Sequence, residues 1–145
     1  MIAEAQTLYD LIKESFLLLD FGDRRLLEPY HLTVSRYYAL HHIAAVPGLS
    51  PGHLSRMMFC DKSNITRLLQ GLEGDSYVER RPHEQDGRAQ RLYLTAAGTR
   101  LYTAVAAAHA GSIARRLASL PPTDVTRTID SLARLNRSLS AALDD

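Results

Sequence analysis

Asp61-Lys62-Ser63-Asn64-Ile65-Thr66-Arg67-Leu68-Leu69-Gln70-Gly71-Leu72-Glu73 reads as a helix with two unlike faces. Asp61 is a natural N-cap, because its carboxylate can accept from the free N–H groups of the first turn. Ile65, Leu68, Leu69 and Leu72 fall at i, i+3, i+4 and i+7 and make one apolar stripe. Lys62, Ser63, Asn64, Thr66, Arg67 and Gln70 are left on the other face. They are short donors and acceptors with two cations among them, gathered into the first two turns.

Upstream, Ser50-Pro51 opens a shorter helix: serine caps it, and proline at the first position has no N–H to leave unsatisfied. Leu54, Met57 and Met58 supply its buried side, and Phe59-Cys60 forms a tight turn into the Asp61 helix. Downstream, the period changes. Tyr77-Val78-Glu79-Arg80-Arg81 and Arg91-Leu92-Tyr93-Leu94 read as strands, with the polar His83–Arg88 stretch as the hairpin tip. Two short consecutive helices followed at once by a hairpin are the organisation of a winged helix-turn-helix. The second helix would enter the major groove of duplex DNA by its N-terminal end. Arg80, Arg81, Arg88 and Arg91 against Glu84 and Asp86 give the stretch from Arg80 to Arg91 a net charge of +2. Arg88, beside Gly87 and oriented by Asp86, is the side chain expected to enter the minor groove, with Arg80 supporting the wing.

Further out the chain is helical. Leu8, Leu11, Ile12, Phe16 and Leu19 recur at helical spacing from Ile2 to about Phe21, where Gly22-Asp23 is expected to stop the helix. Thr33 caps a second helix carrying Tyr37, Leu40, Ile43 and Ala44, and Pro47-Gly48 ends it. Thr95 caps a long helix to about Leu120, where Pro121-Pro122 breaks it. A last helix carries Val125, Ile129, Leu132, Leu135, Leu139 and Leu143. The expected fold is therefore mainly α with a small β-hairpin wing. A winged helix-turn-helix domain (32–98) is flanked by an N-terminal helix and connector (1–31) and by C-terminal helices (99–145). The first and last helices cannot both bury their apolar faces on so small a domain. Leu8, Leu11, Ile12, Val125, Ile129, Leu132, Leu139 and Leu143 are read as a homodimer interface, which would set two recognition helices about 34 Å apart.

The run Asp61–Leu69, then Leu72-Glu73, Val78-Glu79-Arg80-Arg81-Pro82, Asp86-Gly87-Arg88 and Leu94-Thr95-Ala96-Ala97-Gly98 closely resembles the MarR (multiple antibiotic resistance regulator) family. Leu32-Thr33 also matches. The resemblance covers about Leu32 to Gly98 by motif and both flanks by helix pattern. It implies an obligate dimer, usually a repressor, that binds a pseudo-palindromic operator and is often released by a small ligand or by oxidation. Relatives bind small aromatic or phenolic effectors between the second helix and the dimerisation helices. Tyr30, Tyr37, Tyr38 and His41 form a matching patch, and Tyr30, Tyr37 and His41 are the candidate pocket. The same side chains could simply fill the core. Two positions depart from the family pattern. Ser76 stands where glycine is usual, so Gly74 is expected to supply the turn. Gly87 stands where a second arginine is common.

The bulk numbers fit this reading. The 145 residues suit one compact domain, 46% hydrophobic and 23% charged residues suit a folded one, and net charge is only +1. Fifteen of the 17 basic residues are arginine. No apolar run is long enough to span a membrane and no secretory signal is seen, so a cytoplasmic protein is expected. The single cysteine, Cys60, rules out an intramolecular disulfide and sits in an apolar slot suited to packing. A redox sensor of the same fold is one alternative; a winged helix that binds protein instead of DNA is another. Neither a nucleophile elbow nor a phosphate loop nor paired catalytic carboxylates occur, so no enzyme is expected. No metal or cofactor is expected either, although His31, His42 and His109 could converge.

Overall fold

The computed structural model describes residues 1–82, 84–85 and 89–144. The chain divides into two compact units, Met1–His109 and Ala110–Asp145. The first unit begins with α1 (Ile2–Leu27), followed by a 3-10 turn over Glu28–Tyr30, α2 (Val34–Ala45), α3 (Pro51–Met57) and α4 (Lys62–Gly74). Strands β1 (Val78–Pro82) and β2 (Gln90–Leu94) come next. Helix α5 (Ala96–Arg116) starts in the first unit and ends in the second, which also holds α6 (Pro122–Leu143).

Local chemistry starts the helices. Thr33 accepts from the Arg36 N–H at 3.1 Å, Ser50 from His53 at 3.1 Å and Asp61 from Asn64 at 2.8 Å. Thr95 Oγ1 accepts from the Gly98 N–H at 3.0 Å and donates to the Ser76 carbonyl at 2.6 Å. The Val46–Leu49 turn closes through Leu49 N–H to Val46 O at 3.1 Å, with Pro47 second and Gly48 third at φ +88°. This is a type II turn, and its third position needs glycine.

Three helical segments end in the same six-residue device. Leu32 N–H reaches Leu27 O and His31 reaches Glu28; Cys60 reaches Ser55 and Phe59 reaches Arg56; Tyr77 reaches Leu72 and Ser76 reaches Glu73. These are Schellman endings, and each puts one residue in the left-handed region. Those residues are His31 (φ +54°), Phe59 (+50°) and Ser76 (+63°), none of them glycine. The expectation that Gly74 supplies the turn before the wing is thus corrected. Gly74 remains in α4, and Ser76 itself adopts positive φ, held there by the two backbone bonds.

A second correction concerns α1, which continues through Gly22-Asp23 to Leu27. Asp23 has a partner inside the fold: its carboxylate lies 3.0 Å from His109 Nε2, and both residues are buried. The strands begin and end within a residue of expectation, and α5 stops at Arg116 rather than near Leu120.

The two strands pair antiparallel in the register Val78↔Leu94, Arg80↔Leu92 and Pro82↔Gln90. The other edge of β2 is used as well. Gly48 N–H donates to Leu92 O at 2.9 Å and Leu92 N–H to Leu49 O at 2.8 Å, tying the hairpin to the segment before α3. Leu27, Leu40, Ile43, Leu54, Ile65, Leu69, Leu72, Leu92 and Val105 have fully buried side chains and form the core of this unit. Each contributes about 1.5–3 kcal/mol through removal from water. In the second unit, α6 is amphipathic yet buries none of its residues.

Candidate nucleic-acid interface

The buried side of α4 is Ile65, Leu69 and Leu72, with Leu68 partly covered. These anchors turn Lys62, Ser63, Asn64, Thr66, Arg67 and Gln70 outward, and all six are exposed. Three of them also hold the helix start. Ser63 Oγ donates to Asp61 Oδ1 at 2.8 Å, Asn64 Nδ2 to Asp61 Oδ2 at 3.2 Å, and Thr66 Oγ1 to the Lys62 carbonyl at 2.8 Å. The Asn64 backbone N–H is the main cause that holds the Asp61 carboxyl below its ordinary range, with the Ser63 hydroxyl second and Arg67 adding a smaller pull. The acceptor oxygen of Asn64 and the cations of Lys62 and Arg67 remain directed away from the core. Donors, acceptors and charge on a helix N-terminus are the chemistry that reads base edges and holds phosphate.

At its other end α4 is tied to its neighbours. Glu73 pairs with Arg80 of β1, which is the place the structure gives to the expected wing support. Asp75 pairs with Arg36 of α2 at 2.7 Å. On the hairpin, the Arg81 guanidinium lies 4.2 Å from the centre of the Tyr93 ring, and Arg91 pairs with Glu84 at 3.3 Å. The expected minor-groove arginine, Arg88, and its partner Asp86 lie outside the described residues.

The candidate pocket residues separate. Tyr37 is buried and has ring contacts with Tyr38, His41, Tyr102 and His109, whereas Tyr30 packs against the core elsewhere. His41 Nδ1 lies 2.8 Å from Tyr102 Oη, and His109 Nδ1 lies 3.4 Å from Tyr37 Oη. Burial, followed by Tyr102, Tyr38 and Asp23, pushes the Tyr37 hydroxyl up to about 12. Burial also lowers His42, with neighbouring His41 as a second cause. Tyr102, His109 and Asp23 are the cluster members that sequence reading left out of the pocket. They lie on other helices, so spacing within α2 gave no signal.

A groove of about 660 Å³ lies elsewhere, lined by residues of α1 and the start of α2 including Phe21, Arg25, His31 and Val34. A smaller cavity of about 360 Å³ lies between α2, the strands and α5 and is lined by Arg81, Tyr93 and Tyr102. Among the described residues, no three histidine, cysteine, aspartate or glutamate side chains gather as metal ligands, and His31, His42 and His109 do not converge. Cys60 is partly buried and packs against the core. Among the described residues, no helix is long and apolar enough to cross a membrane.

The apolar candidates for a subunit contact remain outside the core. On α1, Leu8 and Leu11 are exposed and Ile12 is partly so; Phe16, Leu17, Leu18 and Phe21 are exposed as well. On α6, Ile129, Leu132, Leu139 and Leu143 are exposed and Val125 is partly covered.

Comparison with known proteins agrees with this geometry. The sequence model of the MarR family matches residues 31–89. The HTH-type transcriptional regulator BilQ of Clostridioides difficile is 34% identical over 74 residues, which is 51% of this chain and 50% of BilQ. The transcriptional activatory protein BadR of Rhodopseudomonas palustris is 27% identical over 128 residues, or 83% of this chain and 71% of BadR. The chain therefore spans about half the length of BilQ and a larger share of BadR. Among solved structures, AbsC of Streptomyces coelicolor, a MarR family transcriptional regulator, superposes with a TM-score of 0.85 at 24% identity, covering 94% of each chain. A mutant MarR from E. coli complexed with operator DNA gives 0.84 at 21% identity, covering 93% of this chain and 97% of that one. The chain thus has the winged helix-turn-helix fold, and over residues 31–89 its sequence is similar to the MarR family of transcription regulators.

Proposed function

We propose that the protein is a sequence-specific DNA-binding transcription regulator that acts in the cytoplasm as a homodimer on a pseudo-palindromic operator. The observation that carries this reading is the exposed polar face of α4, anchored by Ile65, Leu69 and Leu72 and followed directly by the hairpin. Lys62, Ser63, Asn64, Thr66, Arg67 and Gln70 enter the major groove. Arg88, oriented by Asp86, enters the neighbouring minor groove, and Arg80 steadies the wing from Glu73. The related E. coli protein crystallised with operator DNA supports this assignment.

Two-fold symmetry needs a dimer, and the uncovered leucines and isoleucines of α1 and α6 supply an apolar surface for one. Repression is the default output, since a dimer seated on a promoter excludes polymerase; BadR, named an activatory protein, marks the other outcome. A small aromatic effector near Tyr37 and His41 would release the DNA by favouring a half-site spacing that no longer fits.

The deciding experiment is selection of duplexes from a random-sequence pool, followed by affinity measurements across salt. Affinity for the selected duplex should fall steeply as salt rises. Weak binding that ignores salt would instead identify a protein-interaction module. Deleting α6 should abolish operator binding, and unchanged binding would remove the dimer from the scheme.

A further inference from the structure

Arg36 projects from α2 onto the last turns of α4. Its Nη1 lies 2.7 Å from Asp75 Oδ2, and Asp75 is the residue that closes α4. Its guanidinium occupies the space that Gly71 leaves open: a Cβ on Gly71 would collide with Arg36 Nη2 and lie 3.1 Å from Cζ. From the hairpin, Arg80 holds Glu73. Two carboxylates at one end of α4 are thus held by arginines from two other elements, while the polar face at the opposite end of the helix makes none of these contacts.

We propose that Arg36 is a positioning residue for the recognition helix, fixing the pitch of α4 through Asp75 and through the gap at Gly71 without itself touching DNA. The consequence for DNA binding rests on the function proposed above. A helix that reads base edges must hold its orientation within about 10–20°, because base hydrogen bonds are lost beyond that. One anchored only by leucines can roll or tilt on its apolar stripe. The Arg36 contact is directional and removes that freedom at the end farthest from the cap.

The rival role for a partly exposed arginine near DNA is a phosphate contact, and charge separates the two. Asp75→Asn removes a negative charge from a protein that must approach a polyanion, so simple electrostatics makes it bind no less tightly. Loss of the brace makes it bind less tightly. Gly71→Ala keeps every charge, raises helix propensity and displaces the guanidinium, so it too should weaken binding.

The full-length protein and these variants are titrated with a duplex selected by the wild type, at two salt concentrations. Asp75→Asn and Gly71→Ala are each expected to weaken binding about fivefold, the upper range for a partly exposed ion pair, with an unchanged salt slope. Arg36→Ala combined with Asp75→Asn should be no worse than either alone. Equal or tighter binding by Asp75→Asn, or a salt slope that falls by about one in Arg36→Ala, overturns the proposal. Amide exchange without DNA gives a second readout. The last two turns of α4 should exchange faster in Asp75→Asn, and unchanged rates also overturn it. If the wild type selects no duplex, the proposed function fails alone, and the exchange rates decide for or against the brace.

Discussion

Gly98 allows a test in which packing and helix propensity pull in opposite directions. It lies in the first turn of α5, where alanine is ordinarily favoured over glycine by about 1 kcal/mol. The Thr95 cap draws this turn onto the end of the α4–β1 connection, with Thr95 N–H donating to Tyr77 O at 3.0 Å. A Cβ on Gly98 would run into that carbonyl oxygen and stand 2.9 Å from its carbon and 3.1 Å from the Tyr77 Cα. All three atoms are backbone, so relief requires α5 to move away from the hairpin and breaks cap bonds as it does. Overpacking of this kind costs about 1–3 kcal/mol or somewhat more, with the upper part of the range expected because no side chain can turn aside. After the propensity gain, Gly98→Ala should lose about 2 kcal/mol. The matched control is Gly74→Ala, where nothing stands within 4 Å of the new methyl and stability should hold or rise by up to about 1 kcal/mol. Both variants are unfolded in urea beside the wild type at one protein concentration, since a dimer's midpoint depends on concentration. A Gly98→Ala midpoint equal to that of Gly74→Ala would refute the close approach of α5 to Tyr77.

Ser76→Gly should stabilise the protein by about 0.5–1 kcal/mol in the same urea assay, because Ser76 holds φ +63° in a Schellman ending. Asp61→Ala should lower the thermal midpoint at neutral pH. The native Asp61 carboxyl is held below its ordinary range, so its contribution is present above the unfolded-state value and vanishes as pH falls through the native one. The gap between wild type and variant should therefore close in acid, and a gap that persists there refutes the cap's electrostatic part. Arg67→Ala should weaken binding to all duplexes alike and flatten the salt dependence, whereas Asn64→Ala should relax base preference by about 1–3 kcal/mol at one position. Leu139→Glu should shift the sedimentation profile toward monomer, and an unchanged profile removes this part of α6 from the subunit contact.

Much of the fold is legible from neighbours along the chain. The caps at Thr33, Ser50, Asp61 and Thr95 each involve a partner three residues away, and the Ile65–Leu72 stripe declares which side of α4 is buried. Contacts between distant residues were not legible. Gly22-Asp23 looks like a helix stop, yet Asp23 is kept helical with a partner 86 positions later in His109. Arg36 and Asp75 are 39 positions apart and belong to different elements. Ser76 misled for another reason: intrinsic preference disfavours serine at positive φ, but the bonds from Ser76 to Glu73 and from Tyr77 to Leu72 outweigh it. The outward face of α4 was readable because exposure follows from the anchors opposite. The ring cluster was only half readable, since Tyr37 and His41 share α2 while Tyr102 and His109 arrive on α5.

Asp23, His109 and Tyr37 belong to α1, α5 and α2, and they meet away from water. Leucine surfaces tolerate a small slip between helices, because dispersion and the exclusion of water do not depend on angle. A carboxylate, an imidazole and a phenol in series are satisfied in one alignment, and a slip of one residue would strand each of them without a partner. The first, second and fifth helices therefore share a common zero point, so a displacement of the first is passed to the second and fifth, which carry the ring cluster, instead of being absorbed between them.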